Sequence, residues 1–189
     1  MTHPMIFAQV ASQPYRFPFD ADFTAGNTAV LCLGMQPHYI ERCDGQAVAQ
    51  RALALIDRLR LRGIADVWTE SAHGGPLLAR STPGQTIPLV KENAFFNTDL
   101  HQRLTDRGIR NLIIVGFFTD ELVHSSTRAA TDWGFECLTI AEACQASRPE
   151  FHLPQLRITQ FGNGLFGTVA SAEALLTALE TTGENNECR

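Results

Sequence analysis

The sequence is short of lysine, of paired cysteines and of long apolar runs. Its longest apolar stretches, such as Leu112 to Phe118, stop far below the roughly 20 residues a bilayer-crossing helix needs, so no membrane partner is expected. Basic residues are not in excess either: 15 Lys plus Arg stand against 20 Asp plus Glu, a net charge of −5. Without a dense positive stripe, nucleic acid is not an expected partner. The five cysteines, at positions 32, 43, 137, 144 and 188, are odd in number and never spaced C-x-x-C. That argues against a zinc site or a disulfide framework and for reduced thiols in a cytoplasmic protein. No metal or other cofactor is expected. The first 20 residues lack a basic start followed by an apolar core, so no secretory leader is expected.

What remains is ordinary globular material: 189 residues, 44% apolar and 19% charged. The composition fits one domain over residues 1–182, with 1–26 as an extension and 183–189 as a disordered tail. Thr28 to Gly34 is a nearly continuous apolar run, which suits a strand covered on both faces. Gln46 to Arg62 carries Ala49, Ala52, Leu53, Ile56 and Leu59 at helical spacing and is followed by Gly63, the position where helices favour glycine. A second strand at Ile64 to Thr69 completes one βαβ unit. The order then repeats. A Gly/Pro-rich loop from His73 to Pro88 leads to a helix at Thr98 to Arg107 and a strand at Asn111 to Val115. A helix at Leu122 to Trp133, a strand at Phe135 to Ile140 and a helix at Pro149 to Ile158 follow. Leu165 to Val169 is a last strand, and Ser171 caps a closing helix. Strands alternating with helices predict an α/β fold, a three-layer α/β/α sandwich around a parallel sheet. In such sheets ligands bind beyond the carboxyl ends of the strands. The informative residues are therefore Gly34 to His38, Glu70 to His73 and Gly116 to His124.

Lys91 is the one lysine of the chain. It lies in LVKENAFFNTDL, where a merely solvated charge could as well be arginine; lysine is a compact charge, sensitive to burial. Three segments together resemble the isochorismatase-like hydrolases, the cysteine hydrolase superfamily, over about residues 27–179. TAVLCLGMQ at 28–36 is similar to the family's opening strand, which ends in an acid before Met-Gln. LVKENAFFNTDL at 89–100 is similar to the segment bearing its lysine. VGFFTDELVHSSTRAA at 115–130 is similar to the strand, turn and helix that present a cysteine nucleophile. The resemblance implies a sheet of about six strands and a homo-oligomer, a dimer or larger. It also implies a non-proline cis peptide at Phe117-Phe118, and catalytic roles for an acid, a lysine and a thiolate at a helix N-terminus.

Only Lys91 of that triad is present. Gly34 stands at the acid's position and Leu122 at the nucleophile's, and neither side chain can carry a proton or attack a carbonyl. Two functions follow as alternatives. One is a non-catalytic or repurposed small-molecule-binding protein, with Phe95, Phe117, Phe118, Thr119, His38 and His73 as candidate ligand contacts. The other is a working hydrolase of a small amide or related C–N substrate, using Lys91 with Glu121, a histidine and an activated water. For Asp120 and Glu121 the plain reading is a helix cap and a solvated surface acid. Cys32, about 6 to 7 Å deeper in the strand than Gly34, reads as a core thiol. Ser125 and Ser126 have no base to activate them. Because an unpaired buried charge is costly, Lys91 is expected to meet Glu121, another carboxylate, an anionic ligand or open solvent.

Overall fold

The alternation of apolar runs and amphipathic stretches closes into a six-stranded sheet flanked by helices in the computed structural model, which describes residues 5–78 and 85–181. In chain order the elements are β1 (Ile6–Phe7), β2 (Phe23–Thr24), β3 (Thr28–Leu33), α1 (Pro37–Arg42), α2 (Gln46–Leu61), β4 (Ala65–Glu70) and β5 (Thr86–Pro88). Then come α3 (Leu100–Asp106), β6 (Asn111–Phe117), α4 (Leu122–Asp132), β7 (Glu136–Gln145), α5 (Pro149–Thr159), α6 (Phe161–Gly164), β8 (Thr168–Ala170) and α7 (Ala172–Glu180). The sheet order is β5-β4-β3-β6-β7-β8, with every neighbouring pair parallel. All residues of β3 and β6 are buried, which is why those segments read as continuous apolar runs rather than alternating ones.

Most boundaries lie within a few residues of the sequence reading. The Ser171 hydroxyl accepts from Ala174 N at 3.1 Å, as its cap role requires. Three departures have local causes. The segment read as a loop from 73 to 88 ends in β5, an edge strand too short to show periodicity. Pro37 starts α1, whose six residues give less than two turns of pattern. The amino-terminal extension pairs β1 with β2 antiparallel and, between them, bridges Gln13 to Val169 at the free edge of β8. Residues 183–189, read as a tail, lie outside the described residues. No helix among the described residues is long and apolar enough to cross a membrane.

The chain runs outward from β3 through β4 to β5, then returns to β6 on the other side of β3. This reversal puts a topological switch point between β3 and β6, beyond whose carboxyl ends a crevice is expected. Gly34 follows β3 and the Phe117-Phe118 peptide ends β6, so both occupy that crevice.

Candidate functional site

Gly34 adopts φ +60°, a conformation that side chains with a Cβ rarely take. Space is denied there as well. A Cβ on Gly34 would stand 2.5 Å from the Phe117 carbonyl oxygen and 3.1 Å from the Tyr39 ring. Tyr39 sits on α1, is 2% exposed, and sends its hydroxyl to Glu92 at 3.1 Å. Its ring packs against Phe118 with centroids 5.6 Å apart, and the Phe117 ring lies against Gly45. Phe117, Phe118 and Leu122 are fully buried. The crevice at the switch point is thus filled by aromatic and aliphatic side chains.

The backbone that surrounds it is well tied. The Phe117-Phe118 peptide is cis, and the Phe118 carbonyl accepts from Glu121 N and Val123 N, both at 3.0 Å, as α4 begins. Gln36, fully buried, donates to the Ser71 and Gly75 carbonyls and accepts from Ser71 N at 2.8 Å, which fixes the loop after β4. Ala94 N donates to the Ser126 hydroxyl at 2.9 Å and so anchors the Lys91 segment to α4. Ser126 is therefore an acceptor in a structural bond, and Ser125 donates to the Glu121 carbonyl at 3.0 Å.

The charged candidates are not brought together. Lys91 is exposed, and among the described residues no carboxylate oxygen lies within 4.0 Å of it. Of the surroundings expected for its charge, open solvent is the one found. Glu121 instead pairs with Arg42 at 3.3 Å, and the same guanidinium lies 4.7 Å from the centroid of the Phe118 ring. Arg42, on the turn after Tyr39, closes over the aromatic filling from above. Asp120 does not cap α4: its carboxylate accepts from Ser147 N at 2.8 Å and from the Ser147 hydroxyl. His38 and His73 are exposed, and His38 meets the edge of the Tyr39 ring. Thr119 is buried and shares a hydrogen bond with His152 at 3.2 Å, and burial holds the His152 imidazole below its ordinary range. Phe95 packs toward Phe135 rather than toward Phe117 and Phe118.

None of the described thiols is set up as a nucleophile. Cys32, Cys137 and Cys144 are fully buried in the core, and burial pushes Cys144 up to about 12 and the other two upward as well. Cys32 is thus the core thiol its strand position predicts. Cys43 is half-buried; burial raises it against the pull of Arg42, and its S–H donates to the Tyr39 and Ile40 carbonyls. A thiol that donates is a thiol held protonated, hence a weak nucleophile.

Residues 28–174 match the isochorismatase domain, most of the chain. The chain belongs to the isochorismatase family. Among its relatives, the isochorismatase family protein YddQ of Bacillus subtilis is 25% identical over 178 residues, covering 79% of this chain and 98% of that protein. A probable inactive nicotinamidase of Arabidopsis thaliana is 24% identical over 165 residues, covering 67% and 84%. In three dimensions a cysteine hydrolase from Pseudomonas syringae pv. phaseolicola superposes with a TM-score of 0.75 at 15% identity, covering 95% of this chain and 99% of that one. At that identity the likeness is one of fold. For an isochorismatase-family crevice, the residues missed in the sequence are Tyr39, Arg42 and Glu92. Pro37, a helix-starting signal just before Tyr39, was the available hint; the contact of Tyr39 with Gly34 is tertiary and leaves no local mark.

Proposed function

We propose that this isochorismatase-family chain is a non-catalytic or repurposed member: a cytoplasmic small-molecule-binding or scaffold protein that assembles with copies of itself. The observation that carries the reading is the Tyr39 ring 3.1 Å from the place of a Gly34 Cβ. A proton-carrying acid there needs both that Cβ and the room beyond it, and the aromatic ring takes the room. Leu122 offers no lone pair, and every described thiol is held protonated. A relative named as a probable inactive nicotinamidase fits the same picture. Unpaired thiols at 32, 43, 137 and 144 suit a reducing compartment. Self-assembly is supported by exposed large apolar side chains on α5 and α6, Leu153 and Phe161 among them, which a second copy would cover.

The second reading, a hydrolase of a small amide acting through Lys91, Glu121, a histidine and water, is weaker. Glu121 is engaged by Arg42 and Lys91 stands apart from it. The test is incubation of the protein with nicotinamide, simple amides, ureido acids and isochorismate, with NMR to follow consumption and thermal melting to follow binding. The expected result is stabilisation by a compound that is not consumed. Turnover present in the wild type and lost in Lys91→Ala would overturn the proposal.

A further inference from the structure

A second concavity lies at the other end of the sheet. Glu136 opens β7, so residues beside it sit at the amino ends of the strands, opposite the crevice of Gly34 and Phe117. There the amino-terminal extension folds back toward α6 and leaves a cleft of about 440 Å³, lined by Pro14, Tyr15, Phe19, Asp20, Glu136 and Asn163. The volume is within the range of small-molecule sites.

Its lining has one electrostatic sign. Two carboxylates and two aromatic rings face it, and among the described residues no Lys, Arg or His lines it. Glu136 accepts from Phe19 N at 2.5 Å and Asp20 N at 3.1 Å. These donors are neutral, so they hold the carboxylate in place without cancelling its charge. Among the described residues the Asp20 carboxylate accepts no hydrogen bond and makes no ion pair. The rings of Tyr15 and Phe19 meet edge to face at 5.4 Å, and Tyr15 is braced by Gly164, where any Cβ would collide with its ring. Burial, then the nearby Glu136, push the Tyr15 phenol up to about 12. It therefore stays neutral near neutral pH, and the cleft's charge comes from the two carboxylates. A carboxylate pair beside aromatic faces is complementary to a positive head on an apolar body: charge-assisted N–H donation satisfies the carboxylates, and the ring faces attract the cation.

We infer that this cleft binds a small organic monocation, an alkylammonium or alkylguanidinium ion, with its head between Asp20 and Glu136 and its chain against Tyr15 and Phe19. The site is independent of the reading given to the crevice around Gly34, and it stands whether or not that crevice retains activity.

The experiment is an NMR titration of the full chain with n-butylammonium chloride. 1-Butanol and sodium butyrate serve as neutral and anionic isosteres, at constant ionic strength. Saturable shifts confined to Tyr15, Phe19, Asp20, Glu136 and their neighbours are expected, with the alcohol weaker by about tenfold, the worth of one charge-assisted contact. Butyrate should give no saturable shift. Asp20→Asn and Phe19→Ala alter exposed side chains, so their melting temperatures should match the wild type while butylammonium affinity falls several-fold. Butanol binding as tightly as the ammonium ion, shifts elsewhere in the molecule, no saturation, or unchanged affinity in both folded variants would each overturn the inference.

Discussion

At Gly34 two obstacles to a side chain are separable. One is conformational, since φ is +60°; the other is steric, since Phe117 and Tyr39 occupy the space a Cβ and its substituents would take. Gly108 shares the first obstacle at φ +70° but has nothing within 4 Å of its would-be Cβ. Gly108→Ala should therefore cost about 1 kcal/mol, the left-handed conformation alone. Gly34→Ala should cost about 2 to 4 kcal/mol, because a backbone carbonyl must also move. Urea melts of both variants check this, and equal costs would mean that the crevice can relax around a new side chain. The segments that hold Gly34, Lys91 and Leu122 were legible as parts of the family's domain, which spans residues 28–174. The filling of the crevice was not: Tyr39 reaches Gly34 through a short helix whose direction is set by tertiary packing. The helix-cap reading of Asp120 failed for a related reason, since its partner Ser147 is distant in sequence, whereas Glu121 is a partly exposed acid paired with Arg42.

At the scale of elements, α2 and β4 are joined by a partly buried ionic contact. Arg60 donates twice to Asp66, at 2.8 Å each, and Trp68 Nε1 donates to the same carboxylate. Burial would raise Asp66, but the bonds from Arg60 and Trp68 outweigh it and hold the carboxyl below its ordinary 3.8. A carboxyl lowered by folding contributes stability that is present in full above its unfolded value. That contribution is lost as pH falls through the folded one. Asp66→Asn should accordingly cost about 2 to 3 kcal/mol at pH 7, and the gap to wild type should narrow as pH drops below about 4. Chemical denaturation between pH 7 and 3 measures it; a gap that widens on acidification would contradict the assignment. Strands were legible where a continuous apolar run was long enough, as in β3 and β6, and helices where the helical period was, as in α2 and α4. Elements of two, three and six residues, β1, β2, β5 and α1, are held by their neighbours and leave too little pattern to read.

For the whole molecule, the fold and its switch point follow from strand order, while the state of the crevice follows from what fills it. Self-assembly is the property the sequence could assign only by resemblance. The exposed side chains of α5 and α6, with Leu153 at 64% and Phe161 at 69%, make it testable. Light scattering should give a dimer or larger for the wild type and a monomer of unchanged fold for Leu153→Asp with Phe161→Asp; a wild type that is monomeric at every concentration would contradict it. Whether the crevice at the switch point is closed is read out by a thiol placed inside it. Leu122→Cys, made together with Cys43→Ser and Cys188→Ser, is to be labelled with iodoacetamide under native conditions. Labelling at position 122 is expected only as fast as the protein opens, with no accompanying amide hydrolysis. Labelling at the rate of a free, solvent-exposed thiol, or hydrolysis of any tested amide by that variant, would contradict it.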